Sequence, residues 1–220
     1  MGCNVSRPHA AHPAATLLEL APVMTAGHNN PLPDLDRETL LGALTNVAHY
    51  LNSQRANITV ISVGGAVNTI FFETRRATHD VDFYNQQLRA SDYNLIKLAM
   101  QYAQSRDTNL QSEWFNNRTI LFIPKTQREY LTQQAFTQDE VVFQRPGLKV
   151  LAAPWDYAIC AKLDRCAGAG LNQSKPYDYS DAATYLRRYL QIHNLVVVTR
   201  SQVYEWASSM YGQSAIDMRT

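Results

Sequence analysis

The chain has 220 residues, of which 45% are hydrophobic and 18% charged, and its formal net charge is +1. This suits one globular domain with a short appendage and excludes the electrostatic footprint of a dedicated nucleic-acid binder. Three cysteines, Cys3, Cys160 and Cys166, make neither a disulfide framework nor a paired metal spacing, which fits a reducing, cytoplasmic setting.

Residues 1–33 hold five of the nine prolines and only two charged side chains, Arg7 and Glu19. The proline density predicts a flexible or extended arm ahead of a domain spanning 34–220. Its most apolar part, AATLLELAPVM, is broken by Glu19 and Pro22 and is too short to span a bilayer. The first six residues, MGCNVS, fit the N-acylation pattern, with Gly2 as the myristate acceptor and Ser6 in the required place. Cys3 offers a palmitate site, and one myristoyl chain alone gives only marginal membrane binding. This stretch resembles the dually acylated N-termini of eukaryotic signalling proteins. For a eukaryotic chain the resemblance implies a cytoplasmic protein held at a membrane surface; the alternative is a chance match in a solvated tail.

Periodicity begins at Leu35. Leu40, Leu41, Leu44, Val47, Ala48 and Leu51 fall at helical spacing behind Asp36 as a cap. ITVISV (58–63) is β-branched and reads as a buried strand. Gly64 and Gly65 then open AVNTIFFE, a short apolar helix, and THDVDFY (78–84) alternates like a strand. SDYNLIKLAMQYAQS (91–105) reads as a helix behind a serine cap. RTILFI (118–123), EVVFQ (140–144) and LKVLAA (148–153) read as strands, and residues 154–167, 178–191 and a segment from Ser201 as helices. The order predicts an α/β or α+β fold with a central mixed sheet flanked by helices and a helical C-terminal part from about 154.

The chemistry lies in the middle of this pattern. Aspartate is disfavoured in strands and rarely buried without a partner, yet Asp80 and Asp82 interrupt an apolar run. Strand alternation turns both to one face, about 7 Å apart, and sends His79, Val81 and Phe83 into the core. Two carboxylates on one face can converge on a hard cation, magnesium above all. The preceding strand ends in Gly64-Gly65 at a helix start, where glycine permits close backbone approach and orphan N–H groups favour an anion. The competing readings are a tight turn at the glycines and a solvated strand face at the aspartates.

These residues resemble a known group. Gly64-Gly65, a short helix, Arg75-Arg76, then Thr78-x-Asp80-x-Asp82-Phe83 is similar to the signature of the nucleotidyltransferase superfamily, whose fold is that of DNA polymerase beta. The nearest resemblance is to its compact AbiEii-like members and related fungal and bacterial proteins. LKVLAAPWDYAICAKLDR resembles the later strand and lysine-bearing helix of that group, with Lys162 as the lysine, and YDYSDAATYL its acidic element, with Asp178 and Asp181. The resemblance covers roughly residues 35–195. It implies a transferase using Mg2+ or Mn2+ at Asp80 and Asp82, a nucleoside triphosphate held by Gly64, Gly65, Arg75 and Arg76, an unidentified acceptor, and a catalytic Lys162. The chain departs from the pattern at Tyr177, where a lysine is expected, and at Gly65, where many members have serine. No third carboxylate is evident; Glu140, at a strand start, is one candidate, and Asp178 or Asp181 are others. Lys162 reads equally as a snorkelling side chain, and Asp178 and Asp181 equally as first-turn helix charges.

Overall fold

The structure, a computed structural model, describes residues 33–167 and 174–211. The arm over 1–32 and its acylation residues Gly2 and Cys3 lie outside the described residues. Five strands form one mixed sheet in the order β5-β4-β2-β7-β6. They are β2 (Ile58–Val63), β4 (Val81–Tyr84), β5 (Phe115–Asn116), β6 (Val141–Arg145) and β7 (Leu148–Ala152). β2 runs parallel to β7 and antiparallel to β4, β4 parallel to β5, and β6 antiparallel to β7. A small second ladder joins β1 (Leu35–Asp36) to β3 (Ala77–Thr78).

Alternation along each strand builds two cores. Ile58, Val60, Val81, Phe83, Leu148 and Val150 face a core completed by α1 (Arg37–Ser53), α2 (Gly65–Ile70) and α3 (Ala90–Arg106). Ile61, Tyr84 and Leu151 face a second core with α4 (Arg128–Gln138), α5 (Trp155–Cys166) and α7 (Arg200–Tyr211). Trp155 and Ile159 of α5 reach the first core, and its Tyr157 and Cys160 the second. α6 (Asp178–Ile192) packs along α5 and sends Tyr185 into the first core. The fold is therefore a mixed α+β sheet between helical layers with a helical C-terminal part. Among the described residues, no helix is long and apolar enough to cross a membrane.

Four local expectations are corrected. RTILFI is not a strand: Arg118–Phe122 is a 3-10 helix, and only Phe115–Asn116 pair as β5. The Asn116 side chain accepts the Arg118 N–H at 2.9 Å and turns the chain away from the sheet. Ile120 and Ile123 are then buried while Leu121 and Phe122 are exposed, a period of three rather than two. THDVDFY is not one strand, because the chain changes partner within it, from β1 at Thr78 to β2 and β5 from Val81. His79 lies at that break and is exposed rather than in the core, its Nδ1 3.2 Å from the Pro33 carbonyl and 3.5 Å from Asp34. The cap of α3 is not serine: Arg89 is the N-cap, and the Asp92 carboxylate accepts its N–H at 2.9 Å. Asp36 does cap α1, accepting from the Thr39 N–H at 2.9 Å.

Candidate functional site

The two aspartates meet at the end of the sheet where β2 finishes and β4 begins. Asp82 pairs with Val63, the last residue of β2, and in the parallel ladder with Asn116 of β5. Asp80 stands one residue before β4 and accepts a hydrogen bond from Asn116 Nδ2 at 3.3 Å. Burial raises the Asp80 carboxyl above the usual range, against the pull of Asn116 and Arg118. Burial and then the Asp80 charge push Asp82 up to about 7, against Arg118, Asn116 and Arg165. The cause is physical and local: two negative groups share a low-dielectric corner. Their hydrogen-bonding partner is a neutral amide, and the nearest cation, Arg118, is ion-paired to Glu113.

The glycine turn lies against the same end of β2. Gly64 has φ 74° and ψ −132°, a conformation essentially restricted to glycine. A Cβ on Gly65 would collide with Thr78 Oγ1 and lie 3.3 Å from Arg75 Nη1. Gly64 is thus required by its backbone conformation and Gly65 by packing, and that packing sets the Arg75 guanidinium beside the turn. The Gly64 carbonyl accepts from Tyr185 OH and from Asn68 Nδ2, each at 3.2 Å, while Asn68 Nδ2 also donates to Tyr185 OH at 2.6 Å. Burial pushes the Tyr185 phenol well up, so it stays a donor.

Behind the turn is a buried ion cluster. Lys162 Nζ donates to Asp178 Oδ1 at 3.0 Å and to Asp181 Oδ2 at 2.5 Å. Arg75 pairs with Asp181 through Nε at 3.2 Å and through Nη2, and its guanidinium stacks 3.5 Å over the Tyr177 ring. Arg165 Nη2 donates to Asp178 Oδ1 at 2.7 Å. Burial opposes ionisation of Asp178, but the Lys175 N–H, Lys162 and Arg165 hold its carboxyl below the ordinary range. Burial, with the charge of Arg165, pulls the Lys162 ammonium down, while Asp181 opposes it.

The remaining sequence candidates lie elsewhere. Arg76 is exposed, and the charge it acts on is Asp36, the cap of α1. Glu140 forms two hydrogen bonds with Arg188, at 2.6 and 2.7 Å. It precedes β6, three strand spacings or about 14 Å from β4. Among the described residues, no group of three His, Cys, Asp or Glu gathers as a metal-holding set. Asn116 and Arg118 were missed by the sequence reading, because RTILFI reads as a strand starting at Arg118 and Phe115–Asn117 are assigned no element. The Asn-Asn pair after Phe115 was the available turn signal.

The donor set of Asp80 and Asp82 fits a hard divalent cation such as Mg2+ or Mn2+. It offers carboxylate oxygens on one side of a strand end, partly desolvated and short of compensating positive charge. Fold and site together define a mixed-sheet α+β domain with a carboxylate pair beside a glycine turn. Residues 34–208 match a family described as a domain of unknown function, DUF7582, and the chain belongs to that family. No curated protein and no solved structure matches it.

Proposed function

We propose that this domain is a metal-dependent nucleotidyltransferase that moves a nucleotidyl group from a nucleoside triphosphate to an acceptor hydroxyl. The observation that carries the reading is the carboxylate pair Asp80–Asp82, held with raised pKa values at a strand end beside the Gly64-Gly65 turn. Asp80 and Asp82 would hold Mg2+ or Mn2+. When bound, such an ion neutralises triphosphate charge and clamps the reacting oxygens. The turn, bare of side chains, lets backbone approach the phosphates, and Arg75 is fixed beside it by Asp181 and Tyr177. Lys162 contributes positive potential from behind Asp181. The acceptor hydroxyl attacks the α-phosphate in line and pyrophosphate leaves, chemistry in which positioning and charge do most of the work.

A second reading has its own support. Arg75 and Lys162 are engaged by Asp178 and Asp181, and Glu140 by Arg188. A chain whose third carboxylate and cations are committed in this way suits a nucleotide- or protein-binding module without turnover. Acylation at Gly2 and Cys3 would place either version on the cytoplasmic face of a membrane.

Thermal melts with Mg2+ and each nucleoside triphosphate test the first reading. Wild type is expected to melt higher with both ligands than with either alone, and Asp80→Asn/Asp82→Asn to show no such gain. A wild-type protein without any ligand-induced gain sinks nucleotide binding at this site. A gain without pyrophosphate release from any acceptor pool selects the second reading.

A further inference from the structure

Asn116 stands beside the aspartate pair at the end of the sheet. It is the register partner of Asp82 in the parallel β4–β5 ladder, so the two side chains stand side by side on one face of the sheet. Its amide is fixed by three bonds. Nδ2 donates to Asp80 Oδ2 at 3.3 Å and to the Glu113 carbonyl at 3.1 Å, and Oδ1 accepts the Arg118 N–H at 2.9 Å. A flipped amide would set Oδ1 against two acceptors and Nδ2 against a donor, so the network admits one orientation. The group facing Asp80 is therefore a hydrogen-bond donor, which cannot ligate a metal.

The charges agree with this. Two carboxylates balance one divalent cation, and Arg118 already adds positive potential at both aspartates. Glu113, the nearest other acid on this edge, is bound to Arg118.

We infer that Asn116 fixes the cation count of this site at one, standing as an amide donor where a second ion needs a third carboxylate. The inference rests on the reading of Asp80 and Asp82 as cation ligands and adds their stoichiometry. Asn116 is a positioning residue: it orients Asp80 and withholds an oxygen from the corner.

The test is a Mn2+ titration of the full chain, with the metal alone, read by electron paramagnetic resonance. Wild type is expected to bind one Mn2+ per chain. Asn116→Asp, which replaces the donor by a carboxylate of the same size, is expected to bind two. Asn116→Ala, which adds no oxygen, is expected to keep one. Without metal, Asn116→Asp is expected to melt below wild type, because a third negative charge joins the pair, and to regain the difference with Mn2+. Two ions on wild type, or a single ion on a folded Asn116→Asp protein, overturns the inference while leaving Asp80 and Asp82 as ligands. If wild type binds no Mn2+, the ligand reading itself falls, and the inference with it. Should Asn116→Asp fail to fold, the counts on wild type and Asn116→Ala still decide the matter: two ions on wild type, or an additional ion on Asn116→Ala, overturns it.

Discussion

Two pairs of aspartates stand on either side of the glycine turn, and their surroundings treat them oppositely. Asp178 and Asp181 are almost fully buried, yet they meet Lys162, Arg75 and Arg165 directly, and Asp178 ionises more readily than usual. Asp80 and Asp82 meet a neutral amide and each other, and both hold their protons more tightly. The difference shows that burial alone does not decide the state of a carboxylate. Where the chain supplies cations, the pair ties α5 to α6 and to the loop after α2. Where it does not, burial and mutual repulsion hold the pair's protons in place.

Breaking the compensated pair should give the largest effect. Asp181→Ala leaves Arg75 without its carboxylate and Lys162 with one acceptor fewer. Removing one partner of a buried ion pair typically costs about 3–5 kcal/mol, and urea unfolding of the variant should report a loss of that order. A loss under about 1 kcal/mol would show the cluster to be a solvated face.

The uncompensated pair should respond in the other direction. Raised folded pKa values mean that the native state binds protons more tightly than the unfolded chain. Native stability therefore falls as pH rises from the ordinary aspartate value toward the Asp82 value of about 7, and levels off above it. Asp82→Asn should flatten that slope and, at pH 8 without metal, stabilise the protein by something on the order of 1 kcal/mol. Mg2+ should flatten the wild-type slope too, since it competes with the protons. Melting curves between pH 4 and pH 8 check both statements, and a variant that melts lower at every pH would show Asp82 to be a structural anchor.

The smallest effect sharpens the boundary of the site. Arg76 is exposed and faces Asp36 rather than either aspartate pair. Arg76→Ala should change stability by less than about 0.5 kcal/mol and leave any Mg2+-dependent nucleotide shift intact. Loss of that shift would extend the site to Arg76.

The sheet and its helices were legible where one periodicity ran undisturbed. ITVISV and LKVLAA are apolar on both faces, as strands buried between two cores must be, and the leucines of α1 mark one stripe. Legibility failed where one apolar run serves two partners, as at Thr78 to Val81, or where a side chain redirects the backbone, as Asn116 does before Arg118. α4 was invisible for a related reason: only Leu131, Thr132 and Ala135 of REYLTQQAFTQ are buried, too few to mark a stripe. At the site, the aspartates and glycines announced themselves by chemistry out of place in apolar runs. The ion cluster did not, because nothing in local spacing says that Arg75 meets Asp181 from 106 residues away.

The hydrogen bond from Tyr185 to the Gly64 carbonyl joins residues 121 positions apart. Closing so long a loop costs chain entropy that only late, collective contacts repay. The two aspartates and both glycines are synthesised in the first half of the chain, but the Gly64-Gly65 turn takes its Tyr185 bond from a helix more than a hundred residues later. A nascent chain stopped before α6 would carry the carboxylates without a finished turn. The order of synthesis thus leaves the Gly64 carbonyl without its Tyr185 donor until α6 has emerged.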